Sequence, residues 1–249
     1  MTRGALTTFL LLILCAPLHA FTVVPMVAEI DLTSQQPRMR YTISNDGAAP
    51  IAVQIGLMRR EIDLDGEESL SPTSELVAYP SQLIIAAGEQ RTVMVEWQGG
   101  SVSVEQPFRV IAEQVPVSFR DDPANRARIR MNLRYVASLY VRPPQSGAEP
   151  GVSAATVVFQ DAEAGGSEEP FAELLLENRG TSRLDLSDLT YAVSLDDGAT
   201  LEPVVVASEE SSAPTGVVLP GGSRRILLPL PEPYALVDPG TPLSVSVER

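Results

Sequence analysis

Beyond residue 20 sustained helical periodicity, with apolar residues recurring along one face at i, i+3, i+4 and i+7, is nearly absent. Short runs rich in Val, Ile, Leu and Thr recur instead, roughly every ten residues, and Gly, Pro, Asn and Asp separate them. That pattern restricts the chain to antiparallel sheets joined by turns. Strands are predicted over 22–32, 38–44, 51–62, 82–85, 91–97, 108–115 and 128–141, and again over 155–159, 171–178, 184–195, 217–219, 225–230 and 243–247. The turns carry their own chemistry: Asn45-Asp46-Gly47, Asp63-Leu64-Asp65-Gly66-Glu67, Ala87-Gly88 and Asp121-Asp122-Pro123 all suit tight reversals.

Between the two groups of strands lies a Pro- and Gly-rich stretch, 143–151, which reads as a linker. Seven strands before it make one immunoglobulin-like unit, and the strands after it make a second, smaller sandwich. The expected organisation is a leader over 1–20, a first domain over 21–142, the linker, and a second domain over 152–249. The fold class is therefore all-β, with two β-sandwich domains.

The leader is read from Arg3, the apolar run 9–16, Pro17 and the small residue Ala20, an arrangement that suits a secretory signal cleaved near Ala20. The run is shorter than the roughly 20 apolar residues that a spanning helix needs, so no stable membrane insertion is expected. Cleavage there removes Cys15 and His19, the sole cysteine and histidine. Without imidazole or thiolate, nucleophilic triads, the usual zinc sites and disulfides are excluded; no metal, cofactor or enzymatic activity is expected.

All 18 basic residues are arginine, against 32 acids. This balance disfavours nucleic acid, where phosphate neutralisation dominates affinity. Charge is also uneven: residues 21–145 hold 12 arginines against 15 acids, while residues 146–249 hold 5 against 17. Any anionic contact is expected in the first half.

The stretch RIRMNLRYVASLYVRPP at 128–144 alternates through its first half. Arg128, Arg130, Asn132 and Arg134 fall on one parity, and Ile129, Met131, Leu133 and Tyr135 on the other. Alternation alone equally describes a strand packed on its own core. Arg109, which interrupts the apolar run 108–115, reads equally well as an exposed sheet residue or as a partner of Glu113 or Glu96. Trp97 reads as a core or rim residue.

Several of these segments together resemble the periplasmic chaperones of the chaperone-usher pilus assembly pathway. They are Tyr41-Thr42-Ile43-Ser44-Asn45-Asp46, Tyr79-Pro80-Ser81-Gln82 leading to Ala87-Gly88-Glu89-Gln90-Arg91-Thr92, Phe108-Arg109-Val110 leading to Gln114-Val115-Pro116, and the strand end Tyr140-Val141-Arg142-Pro143. Leu176-Glu177-Asn178-Arg179-Gly180 and Leu219-Pro220-Gly221-Gly222-Ser223 resemble that family's second domain. The resemblance implies two immunoglobulin-like domains in an L, a periplasmic address, and pilin-like subunits and an outer-membrane usher as partners. It also implies donor-strand complementation, in which the seventh strand lends backbone partners and side chains to an incomplete subunit.

Under that resemblance the donated row is Ile129, Met131, Leu133 and Tyr135, each worth about 1.5–3 kcal/mol on full burial. The arginines opposite keep a sticky edge soluble. Most members hold the subunit's terminal carboxylate with an arginine of the first strand and a lysine of the seventh. Here 25–29 holds no base and the lysine position falls on Ser138, so Arg109 and Arg134 become the candidate anchors. The rival reading is a secreted two-domain adhesion module or a structural pilus protein. It is weakened by a linker carrying Glu149 alone as a calcium ligand, and by a long strand that is internal rather than N-terminal.

Overall fold

The structure, a computed structural model, describes residues 21–116, 132–161, 168–195, 204–206 and 214–249. Among these described residues ten strands build the first sandwich: β1 (Phe21–Val24), β2 (Val27–Asp31), β3 (Arg38–Asn45), β4 (Ile51–Ile62), β5 (Glu68–Pro72), β6 (Leu76–Tyr79), β7 (Gln82–Ile85), β8 (Gln90–Trp97), β9 (Gln106–Val115) and β10 (Arg134–Arg142). One sheet runs β1-β3-β8-β6 and the other β2-β10-β9-β4-β5, with β7 also on β4. Eight more follow: β11 (Pro150–Asp161), β12 (Glu168–Asn178), β13 (Leu184–Asp185), β14 (Thr190–Leu195), β15 (Val204–Val206), β16 (Val217–Val218), β17 (Ser223–Pro229) and β18 (Leu243–Glu248). They form the sheets β11-β12-β17, β13-β16 and β15-β14-β18. The chain is two immunoglobulin-like sandwiches.

Each sandwich has its own core. Tyr41, Ile43, Val93, Val95, Phe108 and Leu139 are sealed in the first, and Leu174, Leu176, Leu186, Tyr191 and Tyr234 in the second. Alternation explains the placement: the inward parity of β3, β8 and β10 is apolar, and each such burial contributes about 1.5–3 kcal/mol. Trp97 belongs to this core, its indole N–H donating to the Gly100 carbonyl at 3.0 Å and its ring edge-on to Phe108.

The two sandwiches are pinned in the same way. Asn45 is buried and donates its amide hydrogens to the carbonyls of Ala49, Ile85 and Ala86, while its Oδ1 accepts from the Gly47 N–H. Asn178 does the equivalent with Ser182, Val218 and Gly180. Each asparagine thus satisfies carbonyls that a strand ladder leaves unpaired.

Four expectations are corrected. The strand predicted over 22–32 is two, split at Pro25 and shared between the two sheets, because proline has no N–H to continue a ladder. The strand predicted over 184–195 is broken by a 3-10 turn at Leu186–Asp188, which Asp185 caps by accepting from the Ser187 N–H. Asn132 and Leu133, placed in the seventh strand from sequence, precede β10, which begins at Arg134. Strands β5, β6 and β15 are additional; β5 is an exposed, largely polar edge strand with little apolar signal, whereas β6 is a short apolar edge strand anchored in the core by Leu76.

Candidate functional site

β10 has a different neighbour on each side. β9 pairs with it antiparallel from Arg134 to Val141, whereas β2 pairs with it parallel only from Ser138 to Arg142. Backbone groups of successive residues point to opposite sides of a strand. The Leu133 carbonyl accepts from Gln114 on β9, and the Ser138 N–H donates to Met26 on the β2 side. Arg134 and Val136 therefore turn their N–H and C=O groups to the β2 side, where no strand pairs with them among the described residues. This is an open edge, and it ends where β2 begins. Exposed apolar residues Val24, Met26 and Val27 stand at that end.

Of the predicted donated row, Leu133 and Tyr135 are described; Ile129 and Met131 lie outside the described residues. Leu133 and Tyr135 are half-buried and pack against the first core, Tyr135 with its ring edge-on to Phe21 at 4.7 Å. They continue the parity of Ala137, Leu139 and Val141, which are sealed.

The opposite parity of β10 lies on the outer face of the sheet, where a charged cluster gathers. Ser138 faces Arg109 of β9, which in turn faces Met58 of β4. Arg60, two residues further along β4, shares that face, as does Glu68 at the start of β5. The Arg109 Nε lies 3.1 and 3.0 Å from the two Glu68 carboxylate oxygens, and its Nη1 donates to the Ser138 hydroxyl. The Arg60 Nε is 2.5 Å from the same carboxylate, and its Nη1 donates to the Tyr140 hydroxyl at 3.0 Å. Burial works against ionised Glu68, but hydrogen bonds and charge from Arg109 and Arg60 outweigh it and hold the carboxyl below its usual range.

Arg109 and Arg134 are not brought together. Arg134 is exposed, faces Glu113 across the ladder, and stands four residues before Ser138, or about 13 Å along a strand. Arg109 has an acidic partner, but it is Glu68 rather than Glu113 or Glu96.

A second cluster joins the sandwiches. The Arg183 guanidinium lies 4.0 Å over the Tyr140 ring and donates to Glu29 at 2.8 Å and to Glu105 at 3.0 Å. Glu105 also accepts from the Arg183 backbone N–H, while its own N–H donates to the Thr181 carbonyl. Its side chain is wholly buried, and burial, with the charge of Glu29 adding, raises its carboxyl pKa despite the arginines. A third contact comes from the β4–β5 hairpin: the Leu64 carbonyl accepts from the Arg225 N–H at 2.7 Å, and Asp65 pairs with the Arg225 guanidinium. Gly66, at φ 87°, lies so close to Arg224 that a Cβ there would stand 1.9 Å from its Nη2.

Sequence reasoning missed Arg60, Glu68, Glu105 and Arg183. A signal existed for the first two, since the turn at 63–67 sets the register that brings β4 and β5 together.

Residues 22–146 match the family model of pili and flagellar-assembly chaperones, PapD N-terminal domain. The chain belongs to this family. No curated protein matches it. Among solved structures, the class 5 fimbriae chaperone CfaA superposes with a TM-score of 0.57 at 13% identity, over 92% of this chain and 99% of that one. The chaperone of the CsuC–CsuE chaperone–tip adhesion subunit pre-assembly complex, from archaic chaperone-usher Csu pili of Acinetobacter baumannii, is similar too. That match gives a TM-score of 0.53 at 18% identity, over 85% of this chain and 88% of that one. The E. coli chaperone DraB gives 0.50 at 15%, over 86% of each chain. At these identities the likeness is one of fold, and it spans both sandwiches. Among the described residues the chaperone has no helix long and apolar enough to cross a membrane and no cluster of metal-ligating side chains.

Proposed function

We propose that this chaperone holds incomplete pilus subunits in the periplasm by lending them the edge of β10, and passes them to an outer-membrane usher. The observation that carries the reading is the open edge at Arg134 and Val136, flanked by an apolar row and closed at one end by β2. An added strand gains backbone hydrogen bonds there, and the side chains at Ile129, Met131, Leu133 and Tyr135 supply apolar contact. A subunit that lacks a strand has unpaired backbone and an open core, so this edge supplies both missing parts.

The stop at β2 gives the bound strand a direction. An added strand extends along β10 only as far as Met26 and Val27, so one of its ends falls beside Ser138. The guanidinium touching Ser138 is that of Arg109, and arginine favours a carboxylate with paired hydrogen bonds. In this reading the subunit's C-terminus arrives there, its strand runs parallel to β10, and Arg109 is the anchor. Arg134, on the same face but about 13 Å further up the strand, stands outside contact with that end in this reading. The signal peptide over 1–20 and domains over 21–142 and 152–249 complete the proposal.

Co-expression with a cognate subunit tests it. Leu133→Glu is expected to leave a folded chaperone, since Leu133 is only half-buried, but to abolish recovery of the subunit from the periplasm. Unchanged recovery with both Leu133→Glu and Met131→Glu would remove this row from the binding surface.

A further inference from the structure

We propose that the β4–β5 hairpin is a strut that sets the angle between the two sandwiches, with Leu64 and Gly66 as the positioning residues that bear on Arg225 and Arg224 of β17. Its effect on subunit holding rests on the edge-binding reading above; the strut itself does not.

The hairpin is longer than its sheet requires. β9 accompanies β4 only to Arg59, opposite Phe108, and the pairs Arg60–Leu70, Glu61–Ser69 and Ile62–Glu68 continue beyond it as a two-stranded arm. Such an arm is marginal alone in water, so something must hold it. Its tip has a fixed shape: Asp63 Oδ1 accepts from the N–H groups of Asp65 at 3.0 Å and Glu67 at 2.8 Å, and the Asp63 N–H donates to the Glu67 carbonyl. Gly66, in the left-handed region, closes the turn with its N–H on the Asp63 carbonyl at 3.1 Å. The Leu64 carbonyl is thereby presented to the Arg225 N–H, which points away from β12 and donates to it at 2.7 Å. Beside it, the Arg224 guanidinium lies close to a glycine of each sandwich, Gly66 and Gly216. Its Nε is buried without a hydrogen-bond partner among the described residues, so packing holds it there.

The position of this contact gives it leverage. The other attachments gather where the chain crosses between sandwiches: the Glu105 N–H donates to the Thr181 carbonyl, Arg183 lies over Tyr140, and Gly147 of the linker accepts from the Thr181 N–H at 2.7 Å. Contacts gathered at one crossing form a pivot about which a domain can turn. The hairpin stands two strands from β10, about 10 Å across the sheet, and supplies an off-axis contact. Arg60 ties the base of the arm back to the pivot, its Nη1 donating to the hydroxyl of the same Tyr140. Tip, base and pivot thus make a braced triangle. The arm occupies the border of the sheet opposite the open edge of β10, so it leaves that edge clear. Arg183 covers Tyr140 two residues, or about 7 Å, past Ser138, where the edge closes, so the angle of the second sandwich sets the room for a strand end arriving there.

The test uses the full chain with its sole cysteine removed by Cys15→Ser, and with Thr92→Cys and Ser246→Cys as exposed sites for spin labels, one in each sandwich. Two variants undo the strut from opposite sides. Replacing residues 63–67 by Asn-Gly keeps the β4–β5 pairing and removes the tip. Arg225→Pro removes the N–H that meets Leu64 and spares the ladder to β12, because that N–H faces away from it. Double electron–electron resonance should give one narrow distance distribution in the otherwise unmodified chain and a distribution at least about twofold broader in both variants. An unchanged distribution in either variant would overturn the strut; a merely local stabilising role would lower the melting temperature and leave the distances as they were. Subunit recovery should fall at least about threefold in both variants, the loss expected when about a third of the molecules hold the docked angle. Broadening with unchanged recovery would refute the link to subunit holding. If the distribution broadens yet Leu133→Glu and Met131→Glu leave recovery intact, the edge-binding reading fails while the strut stands.

Discussion

Replacing Glu105 should loosen the attachment between the two sandwiches. Its wholly buried carboxylate receives the Arg183 guanidinium at 3.0 Å and the Arg183 N–H at 3.0 Å, and lies 3.8 Å from the Arg142 Nε. Glu105→Ala removes all three at once and leaves a backbone N–H and part of a guanidinium without their acceptor. Loss of one partner of a buried pair costs about 3–5 kcal/mol, and here Glu29 still serves both arginines, which places the expected loss near about 3 kcal/mol. Glu105→Gln keeps an acceptor for the N–H and should lose about half as much. Urea unfolding at pH 7 reads this directly, with Trp97 fluorescence reporting the first sandwich and far-UV circular dichroism reporting both. With a slope of about 2 kcal/mol/M, the alanine variant's midpoint falls by about 1.5 M. An alanine midpoint within about 0.25 M of the unmodified chain would refute the claim that this cluster holds the sandwiches together.

Two further outcomes follow from the same structure. Glu29 and Glu68 have lowered carboxyl pKa values, so the stability they contribute is present above the ordinary value of 4.5 and is lost as pH falls through their own; Glu105, raised by burial, has the opposite sign and gives up stability as pH rises through its pKa. Melting temperature should therefore rise slightly or stay flat from pH 7 to about 5 and fall below 4.5, and Glu105→Gln should abolish the rise; a fall beginning above pH 6 would contradict these signs. Asn45→Ala and Asn178→Ala each leave buried carbonyls without donors and should each cost about 2 kcal/mol or more in denaturant unfolding, whereas a cost below about 0.5 kcal/mol would mean that the carbonyls find other partners.

The parts of the fold that were legible in the sequence are those fixed by local alternation. Tyr41 and Ile43, Val93 and Val95, and Leu139 and Val141 each fall on one parity of a predicted strand, and each is sealed in the core. The turn residues at Asn45-Asp46-Gly47 and at 63–67 reverse the chain where they were placed. Pro25 offered a readable break that the apolar run around it concealed, and Asp185-Leu186-Ser187-Asp188 offered a cap signal that the flanking leucines outweighed.

The site divides along a similar line. The open edge depends on where β2 stops against β10, a parallel pairing that joins residues more than a hundred positions apart, and alternation carries no information about it. Glu105 and Arg183 are also remote in sequence, 78 residues apart, and meet only because the sandwiches dock. Arg109 stood out as a charge within an apolar strand, but identifying Glu68 as its partner required the register of β4 against β5.

Amide hydrogen exchange along β10 tests the central claim most directly. In the free chaperone the N–H groups of Tyr135 and Ala137, which face β9, should exchange slowly, while those of Arg134 and Val136 should exchange quickly; binding of a subunit should slow both of the latter by at least about a hundredfold. Slow exchange of Arg134 and Val136 in the free protein, or no change on binding, would mean that this edge is not the one lent to a subunit.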